Sequence, residues 1–255
     1  MDIEFKKHKW LYLDSSRKTG FDKLLHAYIN TYEGETKIGI ELEEKLKKNI
    51  YKYTGTVGDD TEWKSLYTLS RELGTYIVNN DEYRLSPIAE DLWNSKISAR
   101  EYLTNYLLNL NLIIDEKIVH PLHKILSFII ENESRYISAD GKTYEVSISD
   151  LKDIEDFKFD NVTGDEQKLI TQKINKSINN FIRRMESAKI VEIEETRDGK
   201  LNVSKPMKIK KDKANELIKY CYIWEDGIDK FLELKDDVYI TSKRNKYIYG
   251  DEGEI

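Results

Sequence analysis

Residues 173–204, KINKSINNFIRRMESAKIVEIEETRDGKLNVS, decide the predicted fold of this chain. In and just before this stretch, apolar residues recur at helical spacing, at Ile170, Ile174, Ile178, Phe181, Ile182 and Met185. This pattern predicts an amphipathic helix over 167–188 that packs its apolar face on a core. After a short break, Lys189–Glu194 and Leu201–Ser204 are β-prone and flank an Asp-Gly pair, which predicts an antiparallel hairpin over 190–203.

The opposite face of the predicted helix carries amide and basic side chains, at Gln172, Lys173, Lys176, Asn179, Asn180 and Arg183. From Gln167 to Met185 there are five Lys or Arg residues and no acidic residue. Arg can pair with guanine through two hydrogen bonds, Asn or Gln with adenine, and Lys with phosphate. The face therefore predicts contact with double-stranded DNA. The expected contacts are phosphates for Lys173 and Lys176, and base edges for Asn179, Asn180 and Arg183.

A second basic stretch, KPMKIKKDK at 205–213, follows the predicted hairpin and contains five Lys and one Asp. It predicts further contacts to the DNA backbone from Lys205, Lys208, Lys210 and Lys211. The formal net charge of −6 opposes this function, because nucleic-acid-binding proteins are usually basic. The acidic residues concentrate elsewhere, at 41–44 and 150–160, so the sequence still allows a local positive face.

A similar arrangement occurs earlier, in EWKSLYTLSRELGTYIVNNDEYRLSPIAEDLW at 62–93. Its spacing predicts a helix, then a hairpin over Tyr76–Leu85 that turns at Asn79-Asn80-Asp81. Ser86 and Pro87 then predict the start of a new helix, with Ser as the N-cap and Pro at the first helical position.

Both stretches resemble the recognition helix and wing of winged-helix proteins. The implied fold is α+β and mainly helical, with two tandem winged-helix units. The predicted domains are an arm over 1–20, units over 21–117 and 118–224, and an extension over 225–255. More widely, "YRLSPIAEDLW", with Tyr83, Leu85, Pro87 and Leu92, resembles the DNA-recognition regions of AlwI-type endonucleases and of target-reading modules attached to McrB-like GTPases. This resemblance implies a double-stranded DNA-binding protein or subunit of a bacterial restriction or anti-phage defence complex, or a regulator.

Composition narrows the class of protein further. One cysteine, Cys221, cannot form an intrachain disulfide, which fits a reducing compartment. The N-terminus lacks the apolar segment of a signal peptide, and no apolar run is long enough to cross a membrane. We therefore expect a cytoplasmic protein without cofactors. Its expected partners are double-stranded DNA and, in addition to DNA, a nuclease or NTPase subunit and a second copy of the chain, with no membrane.

Catalytic motifs are weak. The chain has no nucleotide-binding glycine loop and no hydrolase nucleophile elbow. Asp140-Gly-Lys142 and Asp198-Gly-Lys200 match the acid-x-Lys pattern of metal nucleases, but an Asp-Gly pair favours a turn. His120 and His123 could bind zinc, although a capping or core role is favoured. No catalytic or metal-binding residue is predicted. A winged-helix adaptor for another protein is the main alternative, and a diverged metal nuclease is a third.

Overall fold

The computed structural model describes residues 21–32, 37–54, 73–79, 82–114, 117–158, 164–197, 199 and 201–232. These residues fall into two compact units that divide between Tyr106 and Leu107. The predicted boundary lay near residue 117. The class is α+β and mainly helical, as predicted. Among the described helices, none combines the length and the apolar character needed to span a membrane.

In the N-terminal unit, within the described part of Phe21 to Tyr106, helices surround a small sheet. Its helices are α1 (Phe21–Ile29), α2 (Gly39–Thr54), α3 (Pro87–Trp93) and the beginning of α4 (Ala99–Asn109). Its strands are β1 (Lys37–Ile38), β2 (Tyr76–Asn79) and β3 (Glu82–Leu85), in the antiparallel order β1-β3-β2. The hairpin predicted over Tyr76–Leu85 is confirmed. Most of the helix predicted before it, up to residue 72, lies outside the described residues.

Buried apolar side chains hold the helices of the N-terminal unit on its core. Leu25 of α1 is buried, and so are Leu42 and Leu46, which are four residues apart on one side of α2. The Tyr102 hydroxyl donates to the Leu73 carbonyl at 2.8 Å. The predicted start of α3 is also confirmed. The Ser86 Oγ accepts from the Ala89 amide at 3.3 Å, and Pro87 occupies the first turn.

The C-terminal unit begins with the end of α4 and a short hairpin of β4 (Leu112–Ile114) and β5 (Lys117–Val119). The helices α5 (Pro121–Glu131) and α6 (Glu133–Tyr136) follow, and then strand β6 (Thr143–Val146). The predicted turn at Asp140-Gly141 is confirmed, because Gly141 has a φ of 70° and its amide donates to the Ser138 carbonyl at 2.9 Å. Two 3₁₀ helices come next, at Ile148–Asp153 and Glu155–Phe157.

The long helix α7 (Gly164–Ser187) is central to the C-terminal unit. Ile178, Phe181, Ile182 and Met185 are buried, as predicted. The side chain of Ile174 lies outside the described part of the chain. The unit is completed by strand β7 (Met207–Lys210), helix α8 (Lys211–Leu217), a 3₁₀ turn at Ile218–Tyr220, and α9 (Gly227–Leu232).

The predicted strand Lys189–Glu194 is wrong at its start, because the chain reverses there at the end of α7. Lys189 takes a left-handed conformation, with a φ of 56°, and its amide donates to the Glu186 carbonyl. The Ile190 amide donates to the Met185 carbonyl at 2.8 Å. These two bonds form a Schellman motif, which reverses the chain and removes the first residues of the predicted strand from any sheet.

The predicted hairpin over 190–203 is confirmed only next to its turn. There, Leu201 bridges Glu195, and the Asn202 amide donates to the Glu194 carbonyl at 2.9 Å. Further from the turn the predicted pairing is wrong, because Glu192 pairs with Lys208, through amide-to-carbonyl bonds of 2.8 and 2.9 Å in the two directions. The Asn202 side chain accepts from the Ser204 hydroxyl at 2.7 Å and so turns the chain. The true partner strand, β7, begins at Met207, inside the segment predicted as a basic surface run.

β7 therefore lies in the middle of three antiparallel segments. It pairs with β6 on one side and with Glu192 on the other. Met207 and Ile209 are buried, whereas Lys208 and Lys210 are exposed, which is the alternation of a strand with one face on the core. Residues 193–206, which we call loop 193–206, connect Glu192 to β7.

Candidate nucleic-acid interface

Between Lys168 and Arg183, one side of α7 carries a row of polar side chains without an acid, and Glu186, which follows at the same spacing, forms an ion pair with Lys189 at 3.2 Å. Exposed or half-buried side chains stand three or four residues apart at Lys168, Gln172, Lys176, Asn179 and Arg183. Because this spacing returns to the same side of an α-helix, the five form one stripe, which we call the α7 polar face. The stripe extends over about 22 Å at 1.5 Å per residue. Three of these residues are basic, which favours an anionic ligand.

The structure places one of the predicted contact residues of α7 in the core. Asn180 is only 8% exposed, so the prediction that it lies on the polar face is wrong. Ser177 and Arg184 are buried as well. At 100° per residue, these positions widen the buried arc of the C-terminal half of α7 to roughly 200° of its circumference. The side chain of Lys173 lies outside the described residues, and its predicted phosphate contact stays a prediction.

Arg183, at the C-terminal end of the α7 polar face, is held by loop 193–206. Its Nη1 forms an ion pair with the Glu195 carboxylate, and its Nη2 donates to the Gly199 carbonyl at 2.8 Å. The turn predicted at Asp198-Gly199 has partial support, because Gly199 has a φ of 75° and its amide donates to the Thr196 carbonyl at 2.9 Å. Asp198 itself lies outside the described residues.

The basic run 205–213 has a mixed environment. Lys205 and Lys210 are exposed, and Lys208 is exposed on β7 opposite Glu145, with an ion-pair distance of 3.1 Å. Lys211 forms an ion pair with Glu133 at 2.6 Å. The hydrogen bond from Lys211 holds the pKa of Glu133 below its ordinary value. The sequence signal for β7 was the alternation Met-Lys-Ile-Lys, which the high lysine content of the run obscured.

The side chain of His120 caps the N-terminus of α5. The Nδ1 atom of His120 accepts from the His123 amide at 3.1 Å, and its Nε2 atom lies 2.8 Å from the Leu108 carbonyl. Burial lowers the pKa of His120 to about 4. Both ring nitrogens are occupied by the protein, which confirms the capping interpretation.

Metal ligands do not cluster within the part of the chain that the structure describes. No group of three or more His, Cys, Asp or Glu side chains there could hold a metal ion. Asp140, from one acid-x-Lys match, accepts from the Ser138 hydroxyl at 2.6 Å, and this bond holds the pKa of Asp140 below its ordinary value. Burial raises the pKa of the Cys221 thiol to about 12.

Comparison with known proteins places the chain by its fold. No protein-family model and no curated protein matches the sequence. Among solved structures, the fold is shared with an endonuclease binding domain. That domain is the BpuJ1 endonuclease binding domain, solved in complex with pyrene- and phenanthrene-modified DNA, with a TM-score of 0.52. The match covers 89% of this chain and 92% of that chain at 12% sequence identity, a level at which the likeness concerns the fold.

Proposed function

We propose that this chain is a double-stranded DNA-binding component of a bacterial restriction or anti-phage defence system, or a regulator. The observation that carries the proposal is the α7 polar face, an acid-free row of basic and amide side chains from Lys168 to Arg183, on a helix whose other side is buried in its C-terminal half. A helix of this kind fits the major groove of B-DNA. The likeness of the fold to a binding domain solved with DNA supports the same conclusion.

We further propose that each unit is a winged helix. In the N-terminal unit, the order helix, strand, helix, hairpin and the sheet order β1-β3-β2 support this assignment. In the C-terminal unit, α5, β6, a 3₁₀ helix and α7 precede Glu192 and β7, which pair with each other. β7 is central there, as β3 is in the N-terminal unit. On this assignment α7 is the recognition helix and loop 193–206 is the wing.

Individual contacts follow from side-chain chemistry and exposure. Gln172 and Asn179 suit adenine, because an amide can donate and accept at once. Lys176 suits a phosphate, since it is exposed and offers a compact charge. Lys205 and Lys210 are exposed and suit additional phosphates, whereas Lys208 and Lys211 must first leave their acidic partners. We assign Asn180 to the packing of α7.

A mobility-shift assay tests this function with random duplex DNA at two or more salt concentrations. We expect binding whose affinity falls steeply with salt, because phosphate neutralisation releases counterions. A charge-matched polyanion without bases, such as heparin, provides the control for non-specific attraction. Absence of duplex binding at low salt would overturn the proposal.

The alternative is an adaptor that binds another protein. The exposed apolar residues Tyr220 and Ile223, at 65% and 44%, favour it, because they lie close together in the sequence near the end of the described chain. An adaptor would show no steep salt dependence towards duplex DNA. The assay with DNA therefore separates the two functions.

A further inference from the structure

The contact between Arg183 and loop 193–206 suggests a different role for this residue than base reading. Both terminal nitrogens of the guanidinium are engaged by the loop, one with the Glu195 carboxylate and one with the Gly199 carbonyl. Recognition of guanine uses two such donors together. In this conformation the guanidinium of Arg183 is bound to the loop. It contacts two residues of the loop that are four positions apart, Glu195 and Gly199.

Those two points bracket an exposed basic residue, Arg197. Further bonds order the same part of the loop. The Gly199 amide donates to Thr196, and the Asn202 amide donates to the Glu194 carbonyl at 2.9 Å. Arg183 adds a side-chain link from α7 to this part of the loop, so it fixes the loop relative to the α7 polar face.

We propose that Arg183 is a positioning residue for DNA binding, which holds loop 193–206 so that Arg197 reaches the DNA backbone beside the α7 polar face. This inference rests on the proposed function. A loop that is ordered before binding loses less conformational entropy in the complex, and this gain appears as affinity. Arg183 thus acts through Arg197, and Glu195 acts through Arg183.

The direction in which one substitution changes DNA affinity tests this role. Glu195→Ala removes a negative charge near the proposed DNA surface, so electrostatics alone would tighten DNA binding. If Glu195 holds Arg183 and the loop in place, the same substitution must weaken binding. We expect about a five- to tenfold rise in Kd for a short DNA duplex, measured by fluorescence anisotropy on the full chain.

Two variants serve as controls. Glu194→Ala removes the same charge at the neighbouring exposed position but leaves the backbone bond from Asn202 intact, and it should leave affinity unchanged or tighter. Glu195→Gln keeps an acceptor for Arg183 and should stay within about twofold of the wild-type Kd. If Glu195→Ala tightens binding as Glu194→Ala does, Arg183 is not a positioning residue.

A second measurement needs no DNA. Hydrogen exchange of the Gly199 amide in the free protein should be faster in Glu195→Ala than in Glu194→Ala, because the bond to Thr196 opens more often. Equal exchange in the two variants would overturn the positioning of the loop even if DNA binding is real. Wild-type protein that binds no duplex, while exchange responds as expected, would overturn the proposed function and leave the loop contact established.

Discussion

The two units place three antiparallel segments in the same order but connect them through loops of different length. In the N-terminal unit, only residues 80–81 separate β2 from the central strand β3. In the C-terminal unit, residues 193–206 separate Glu192 from the central strand β7. The long loop brings Arg197 and Lys205 to the surface. The same sheet order can therefore carry connections of very different length, and the longer one exposes basic side chains.

The largest expected effect concerns the core beneath the α7 polar face. Phe181 is fully buried, so Phe181→Ala should lower the free energy of unfolding by about 3–5 kcal/mol, through lost transfer energy and a cavity. Denaturant unfolding measures this change. Asn179→Ala, on the polar face of the same helix, should change it by less than about 0.5 kcal/mol. Equal effects of the two substitutions would mean that α7 does not have one buried and one ligand-facing side.

Acid should distinguish the two units. The pKa of His120, in the C-terminal unit, falls from its ordinary value of 6.5 to about 4 in the folded state. Between these values the unfolded chain binds a proton that the folded chain does not, so stability is lost as the pH falls from 6.5 to 4. The loss is on the order of 3 kcal/mol.

Replacement of His120 tests this pH dependence. His120→Asn keeps a side-chain acceptor for the His123 amide but cannot titrate in this range. Stability measured at several pH values should therefore decline less steeply in the variant than in the wild type. His26, in the N-terminal unit, is exposed, and His26→Asn provides the comparison. Parallel pH profiles for wild type and His120→Asn would contradict the assigned cause.

The short hairpin of the N-terminal unit depends on Ser86. Its hydroxyl donates to the Gly74 carbonyl at 2.8 Å and accepts from the Ala89 amide, and the residue is fully buried. Ser86→Ala should cost about 1–2 kcal/mol of stability, since it removes a cap and leaves a buried carbonyl without this donor. Ser98→Ala removes an exposed cap and should cost less. A thermal shift that is the same for both would show that burial of Ser86 adds nothing.

The smallest expected effect is on the salt dependence of DNA affinity, which should respond to a lysine of the C-terminal unit and not to one of the N-terminal unit. Lys176→Ala, on the α7 polar face, should weaken binding to all duplex sequences similarly and reduce the slope of log K against log salt by about one. Lys48→Ala removes an exposed lysine from α2 of the N-terminal unit and should leave the slope unchanged. Indifference of DNA affinity to both substitutions would favour the adaptor.

Local signals in the sequence were sufficient for much of the fold. The apolar spacing of α7 and the Ser-Pro start of α3 predict elements that the structure contains. These features depend on neighbours a few residues away, which a sequence displays directly. The hairpin over Tyr76–Leu85 also depends on near neighbours. Only two residues connect its strands, so the register of their pairing has little freedom.

The pairing of strands that lie far apart in the sequence could not be predicted from such local signals. Both Leu201–Ser204 and Met207–Lys210 contain alternating residues, and the choice of partner for Glu192 depends on which segment can also pair with β6. For the candidate site, the exposure of Gln172 and Lys176 follows from helical spacing. The burial of Asn180 does not, because it depends on how much of the circumference of α7 other elements cover.

The Schellman motif at the end of α7 has a consequence for how this protein can change. Its bonds, from Lys189 and Ile190 back to the helix, lie before loop 193–206 and do not involve it. Glu192, just before the loop, and β7, just after it, pair with each other and so fix both ends of the loop in the sheet. Mutations that lengthen, shorten or recode the loop therefore leave both anchors in place, and surface loops tolerate such changes well. Selection or design could therefore vary the length and sequence of this loop without rebuilding the core.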